Sequence, residues 1–349
     1  MQFAGAAYND GVMSICSIQE ECGGCPQLRK PLEAQRNAKI EWVQRTLGIP
    51  VSGITTSPKT EGYRARIDLT PNTEGRLSFR SRRSHNPVVV DSCPVARPEI
   101  NAVIAKLPKV DRSIERIAFR SNGSHVVLHA VSRKHKQDNA RRWLESLPDI
   151  GATLALNGRS IKEPAFTKIQ IAGVEHHFSP ATFYQVNLEV NALLVADALN
   201  HIRDVKAEAV LDLFAGAGNF SLPLAAEGIR TTMIEAHPTA AKDARRTSKL
   251  HSIDVDIRTG RAEDFHAGDA FFDTAILDPP RKGAGSVIEQ VLVTRPKAVI
   301  MVSCNPSTLS GDLKRAHKHG YTMQRIHLYE MFPHTDHVEA MGILTRASV

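Results

Sequence analysis

AVLDLFAGAGNF, Ala209–Phe220, decides the reading of the second half of this 349-residue chain. An apolar run of strand length passes straight into a glycine-rich turn, and a helix candidate opens near Ser221. Gly216 and Gly218 let the backbone come close to a ligand, although tight strand-to-helix turns also use glycine for geometry alone. The residues that follow narrow the choice. TTMIEA, DVDIRTG, TAILDPP and KAVIMVSC alternate with helix candidates, the rhythm of a parallel α/β sheet with helices on both faces. Glu235 ends the next strand, about 20 residues on, where an acidic side chain can grip ribose hydroxyls. Asp278, in ILDPPRKG, ends a later strand on the same carboxyl edge.

Upstream the texture is different. YRARIDLTP and RLSFRSRR flank the turn NTEG, and RIAFR and HVVLHAVSR flank SNGS, the pattern of hairpins. ATLALNGRS and TKIQIAGVEHHF continue the alternation, so this half is expected to be an antiparallel, β-rich domain. RRSHNP and RKHKQDNARR are its basic clusters. Residues 27–47 form a helix candidate with Leu32, Ile40, Val43 and Leu47 near helical spacing, closed by Gly48 and free to dock on the second half. The change of texture near FSPATFYQVN divides the chain into residues 1–175 and 176–349. The first part carries 26 Lys+Arg against 17 Asp+Glu, the second 18 against 20. Positive charge concentrated in one half suits a polyanion such as RNA, and suits a merely solvated basic surface equally well.

Hydrophobic content of 42% is ordinary for a globular chain, and no apolar run approaches the ~20 residues a bilayer crossing needs. MQFAGAAYND has no basic segment followed by an apolar one, and five cysteines are an odd number. The expectation is a reduced, cytoplasmic protein without a disulfide framework and without a membrane partner.

Those cysteines divide unevenly. Cys16, Cys22 and Cys25 stand at C-x5-C-x2-C, and Cys93 follows in HNPVVVDSCPV. Together they make the four thiolates that zinc and a [4Fe–4S] cluster both require. Only one C-x2-C pair is present, where structural zinc more often shows two. Cys304 ends the apolar strand of KAVIMVSCNPSTLSGDL, on the edge where such sheets bind ligands. A buried structural thiol is the plainer reading; the place beside a cofactor edge favours a nucleophile. Glu339, in FPHTDHVEAMGILTR, opens another apolar strand and could equally be a solvated edge charge.

Gly216, Gly218, Glu235 and Asp278 together resemble a class I S-adenosylmethionine (SAM) methyltransferase domain, and GAG lacks the third glycine of a dinucleotide fingerprint. Asn/Asp-Pro-Pro turns in amine methyltransferases are followed by an aromatic that stacks the base. Here Arg281 stands in that place, which argues against an amine target. A thiolate and a carboxylate beside a methyl donor suggest carbon chemistry instead. Carbon 5 of uracil becomes nucleophilic once a thiolate adds at carbon 6, and a base must then remove the carbon 5 proton.

FYQVN, DLFAGAGNF, IEAHP, LDPPR, SCNPSTL and FPHTDHVE, in that order, resemble the RNA uracil-C5 methyltransferase family over the whole second half. The resemblance implies SAM held by Gln185, Phe214, Asn219 and Glu235, with Asp278 between cofactor and target base. Cys304 would be the nucleophile and Glu339 the base. CGGC, with a cysteine six residues earlier and Cys93 in its own context, is similar to the iron–sulfur subset, so a [4Fe–4S] cluster is preferred to zinc on Cys16, Cys22, Cys25 and Cys93. Subset members largely act on 23S ribosomal RNA. Cys16 leaves no room ahead of it for the small β-barrel TRAM domain of one ribosomal branch, which points to the short branch. That branch often shows Asn where Asp278 stands, and archaeal relatives use transfer RNA, which remains the alternative substrate. The family implies a monomer. Amine methylation through Asp278, or a non-catalytic RNA-binding protein, are the readings of other kinds.

Overall fold

Ala209–Leu213, Arg230–Glu235, Asp256–Thr259, Thr274–Leu277 and Ala298–Ser303 form the contiguous parallel side of the larger sheet of the computed structural model, which describes residues 16–81, 84, 86–266 and 272–346. Every residue of Ala209–Leu213 and of Ala298–Ser303 is buried, as expected where helices cover both faces. From Ala209–Leu213 the chain winds outward through Arg230–Glu235 and Asp256–Thr259, then returns to the other side with Thr274–Leu277. The order therefore reverses beside Ala209–Leu213, and a crevice opens there at the carboxyl ends of the strands.

One addition departs from the purely parallel expectation, and another comes from the first half. Glu339–Arg346 inserts antiparallel between Ala298–Ser303 and Tyr321–Tyr329. The connection through residues 330–338 is too short for the crossover a parallel neighbour needs, so the strand must run back. Ile54–Thr55, from the first half, pairs parallel with Leu328–Tyr329 and completes eight strands among the described residues.

The second sheet has seven strands among the described residues, and both expected hairpins are in it. Arg66–Pro71 pairs with Leu77–Arg80, and Ile114–Ser121 with Val126–Ser132. One pairing in it departs from the antiparallel reading. Ala152–Leu156 lies parallel to Val126–Ser132, because the helix Gln137–Glu145 provides a crossover that buries Ala140 and Leu144. The run RKHKQDNARR is thus the polar face of an amphipathic helix and its lead-in. Thr167–Ile171 and Val174–Phe178 form a separate hairpin that packs on the helix Pro238–His251. Ile169, Ile171 and Phe178 share a core with Leu194, Leu199 and Tyr329. In RRSHNP, Arg82, Arg83 and His85 lie outside the described residues, as does the opening MQFAGAAYND.

The helix expected over 27–47 spans Leu32–Leu47 and closes on a left-handed Gly48. Pro31 stands at its N-cap with ψ 141, and its ring disfavours helix at Lys30, so the start is pushed inward. The helix packs on the larger sheet's layer: Val43 is fully buried with Leu309, Ala316 and Leu344. Arg36 makes a two-pronged bond to Glu330 at 3.0 and 2.8 Å. Glu330's side chain has no exposed surface, so removal of Arg36 would leave a buried carboxylate without its ion-pair partner and with the Ser57 N–H as its remaining hydrogen bond.

Candidate active site and a four-cysteine cavity

The glycine turn is fixed by backbone conformation and by contact. Phe214, Gly216 and Gly218 all have positive φ, at 62°, 58° and 86°. For Phe214 that conformation carries strain, of the kind found at ligand-gripping turns. A Cβ on Gly218 would stand 2.7 Å from Leu222, so that position admits no side chain. Gly216 N–H donates to Glu235 Oε2 at 2.8 Å, and His237 N–H to Oε1 at 2.6 Å. Each oxygen keeps a lone pair for a hydroxyl. Asn219 is held by Asn191: the two amides exchange hydrogen bonds of 2.9 and 3.1 Å.

Register brings the reactive groups together. Ser303 is paired with Ala340, so the next residue, Cys304, comes level with Glu339. Asp278 leaves the neighbouring strand on the same side. Gln185, Phe214, Gly216 and Asn219 line a cleft of about 840 Å³ together with Glu235. Asp278, Cys304 and Glu339 line it too. Gly218 alone of the expected residues does not; it supports the turn from behind.

Glu339 is 3% exposed, which removes the solvated-edge reading. Burial first, then the charge of Asp278, pushes its carboxyl well above the usual range, against the pull of Arg281. Burial raises Asp278 to about 7. Burial and the charge of Glu339 push the half-buried Cys304 thiol up, Arg281 opposing and Asp278 adding to the rise. Burial and like charge thus favour the protonated form of both carboxyls and of the Cys304 thiol. Arg281 is the cation whose charge acts on both Cys304 and Glu339, and its guanidinium lies 3.4 Å from His337 Nδ1.

Cys16, Cys22, Cys25 and Cys93 line a second cavity of about 340 Å³ with Arg64. All four are free thiols. Among the described residues, no three His, Cys, Asp or Glu side chains converge tightly enough to hold one ion. The donors nonetheless border one space of the right chemistry for a thiolate-bound group. Burial pushes Cys25 up to about 11, with Arg64 pulling it down and the other cysteines adding to the rise. Four neighbouring thiolates repel one another, and an iron or zinc centre would relieve that repulsion while displacing the protons.

A sheet with this order and a glycine turn braced by an acidic side chain define a class I methyltransferase fold. A family model described as tRNA (Uracil-5-)-methyltransferase matches residues 239–347. The 23S rRNA (uracil(1939)-C(5))-methyltransferase RlmD of Edwardsiella ictaluri is 31% identical over 95% of this chain and 82% of its own length. The enzyme of the same name from Pectobacterium atrosepticum is 31% identical over 94% of this chain and 79% of its own. The crystal structure of Pyrococcus abyssi tRNA (uracil-54, C5)-methyltransferase with S-adenosyl-L-homocysteine superposes with a TM-score of 0.77, at 25% identity. That match covers 92% of this chain and 86% of the other. The chain belongs to the RNA uracil-C5 methyltransferase family, and is a SAM-dependent enzyme acting on RNA.

Several cleft residues were not singled out from the sequence. Phe183 and His237 line it, as do Phe332 and His337 from the loop that leads into Glu339. FPHTDHVE held the signal for the last two, since its histidines flank the same turn as the carboxylate. Asn191, buried on the helix Leu188–Asp204, had none: only the fold shows that it faces Asn219.

Proposed function

We propose that this enzyme methylates carbon 5 of a uridine in 23S ribosomal RNA, with Cys304 as nucleophile and Glu339 as base. The observation that carries the reading is the strand register that sets Cys304 beside Glu339 in the cleft of the glycine turn. Gln185, Phe214, Asn219 and Glu235 would hold SAM, whose sulfonium supplies an electrophilic methyl group. Cys304 loses its proton to solvent and adds to carbon 6 of a uracil flipped out of its stack, giving carbon 5 enolate character. Arg281 stands where it can hold the charge gained by the uracil carbonyl. Once carbon 5 carries the methyl group, Glu339 takes its proton, the carbon 6–sulfur bond breaks, and Cys304 leaves as thiolate. A carboxylate with a raised pKa is the stronger base for that carbon acid.

Cys16, Cys22, Cys25 and Cys93 are assigned to a [4Fe–4S] cluster rather than zinc, on the strength of four free thiols around one cavity larger than a single ion needs. The β-rich half, residues 1–175, would hold the RNA. A monomeric, cytoplasmic enzyme goes with this reading; among the described residues no helix is long and apolar enough to cross a membrane.

The choice of RNA rests on the ribosomal relatives. The transfer RNA enzyme of Pyrococcus abyssi, which matches 92% of the chain, keeps a transfer RNA uridine as the second reading. Labelled SAM offered with unmodified 23S ribosomal RNA and unmodified transfer RNA in parallel decides between them. 5-Methyluridine from the ribosomal RNA alone, absent with Cys304→Ala, is expected. Product from transfer RNA alone would move the assignment, and product that survives Cys304→Ala would end the covalent mechanism.

A further inference from the structure

The cleft and the four-cysteine cavity share a wall. Tyr184 and Gln185 line the cleft, while Val186, the next residue, lines the cavity. Gly62–Ala65 runs between the two. Gly62 N–H donates to Pro94 O at 2.9 Å and Arg64 N–H to Val95 O at 2.7 Å, on the segment just after Cys93. Ala65 N–H donates to Val186 O at 2.7 Å on the other side.

Side chains carry the link further. The guanidinium of Arg64 borders the cysteine cavity, and its Nε donates to Tyr63 Oη at 3.3 Å. Tyr63 is fully buried, and its Oη donates in turn to Pro333 O at 3.1 Å. Pro333 lies in the loop 330–338 between Phe332 and His337, both of which line the cleft, and the loop runs directly into Glu339. A strap from the cysteine segment holds the same loop: Gln27, two residues after Cys25, donates its N–H to His334 O at 3.0 Å. Lys39 Nζ donates to Phe332 O at 3.0 Å, and Gln35 Oε1 accepts from His334 N–H at 2.9 Å. His334 is held at φ 65°, a left-handed conformation for a non-glycine residue that persists only where its surroundings impose it.

We propose that Arg64 and Tyr63 are positioning residues that tie occupancy of the four-cysteine cavity to the placement of loop 330–338, and through it of Glu339. Four metal-bound thiolates carry negative charge that holds the Arg64 cation against the cavity, and Arg64 in turn orients the phenol whose proton fixes Pro333. Removal of the bound metal discharges the cavity, frees Arg64 and loosens the loop. The inference rests on the reading of the four cysteines as a metal site.

Metal content and backbone hydrogen exchange of the full-length protein, purified anaerobically, test it. Iron and zinc per chain are measured for wild type, Tyr63→Phe and Arg64→Lys. Exchange at the amides of residues 334–338 is then followed before and after chelation, with the strand Ala298–Ser303 as the control for global unfolding. In wild type, chelation should speed exchange at 334–338 about tenfold or more and leave the control strand protected. Metal-loaded Tyr63→Phe should show the same fast exchange with wild-type metal content, and chelation should add little. Its kcat should fall about tenfold while KM for SAM stays put. Arg64→Lys, which keeps the cation but loses the Nε donor, should loosen the loop without loss of metal, and it decides the matter if Tyr63→Phe loses metal. Wild-type protection and kcat in a metal-loaded variant would overturn the relay alone. Absence of metal from freshly purified wild type would overturn the metal site, and the proposal with it.

Discussion

Cys304 and the four cysteines of the first half are the same side chain in opposite company. Cys304 stands half-buried at the end of a parallel strand in a cleft of about 840 Å³, beside Glu339 and under the charges of Arg281 and Asp278. Cys16, Cys22, Cys25 and Cys93 border about 340 Å³ together with Arg64, and Ile18, Phe79, Val95 and Asp68 are among the other residues of the wall. Burial raises the thiol in both places, so a displaced pKa does not separate a nucleophile from a ligand. Neighbours do. A lone thiol in register with a buried carboxyl can add to a carbon and be expelled again; four thiols bordering one space suit a shared positive centre.

The sharpest way to break this contrast is substitution on each side. Cys304→Ala should lower single-turnover methylation by about 10⁴-fold or more, since among the described residues no other thiol lines the cleft. Metal content and Tm should stay at wild-type values. Glu339→Gln should cut turnover ~10²–10⁴-fold, the range for a removed general base, and trap a covalent RNA–protein adduct on a denaturing gel. Loss of turnover with no adduct would place Glu339 before the addition step. Cys93→Ser should do the reverse of Cys304→Ala: metal is lost, and the fold weakens by ~2–4 kcal/mol, or ~5–15 °C in Tm.

A finer comparison lies inside the cleft. Cys304 and Glu339 react only as thiolate and carboxylate, and both are raised, so kcat/KM should rise with pH through the neutral range. Asp278 contributes to both rises by like charge. Asp278→Asn removes that contribution, and the acid limb of its residual activity should move down by ~1 pH unit. A limb that stays or moves upward would show that burial alone sets it.

The two halves also differed in how far the sequence could be read. Parallel strands are buried on both faces and appear as continuous apolar runs, so the strands ending at Leu213, Glu235, Leu277 and Ser303 were legible, and with them the edge that carries Asp278 and Cys304. Pairing partners were not. Alternation in ATLAL gives a strand but not its direction, and only the amphipathic helix before it makes Ala152–Leu156 parallel to Val126–Ser132. Ile54–Thr55 is too short to leave any periodic signal, and it joins a sheet whose other strands lie far along the chain. The link from Tyr63 to Pro333 spans |i−j| = 270, and no local pattern encodes it.

The smallest expected effect concerns charge rather than cysteine, and it separates the halves again. Lys134 and Lys136 stand at the head of the amphipathic helix Gln137–Glu145 in the basic half, with Lys134 exposed. Lys242 and Lys249 are exposed on the helix Pro238–His251 in the other half. If the β-rich half holds the RNA, Lys134→Ala with Lys136→Ala removes up to two phosphate contacts. RNA affinity should fall several-fold, and the slope of log K against log salt should become shallower by ~1–2, while SAM binding is untouched. Lys242→Ala with Lys249→Ala removes the same charge and should leave the slope unchanged. Equal slopes from the two pairs would mean that net charge alone draws the RNA in, and that the β-rich half makes no phosphate contacts of its own at this helix.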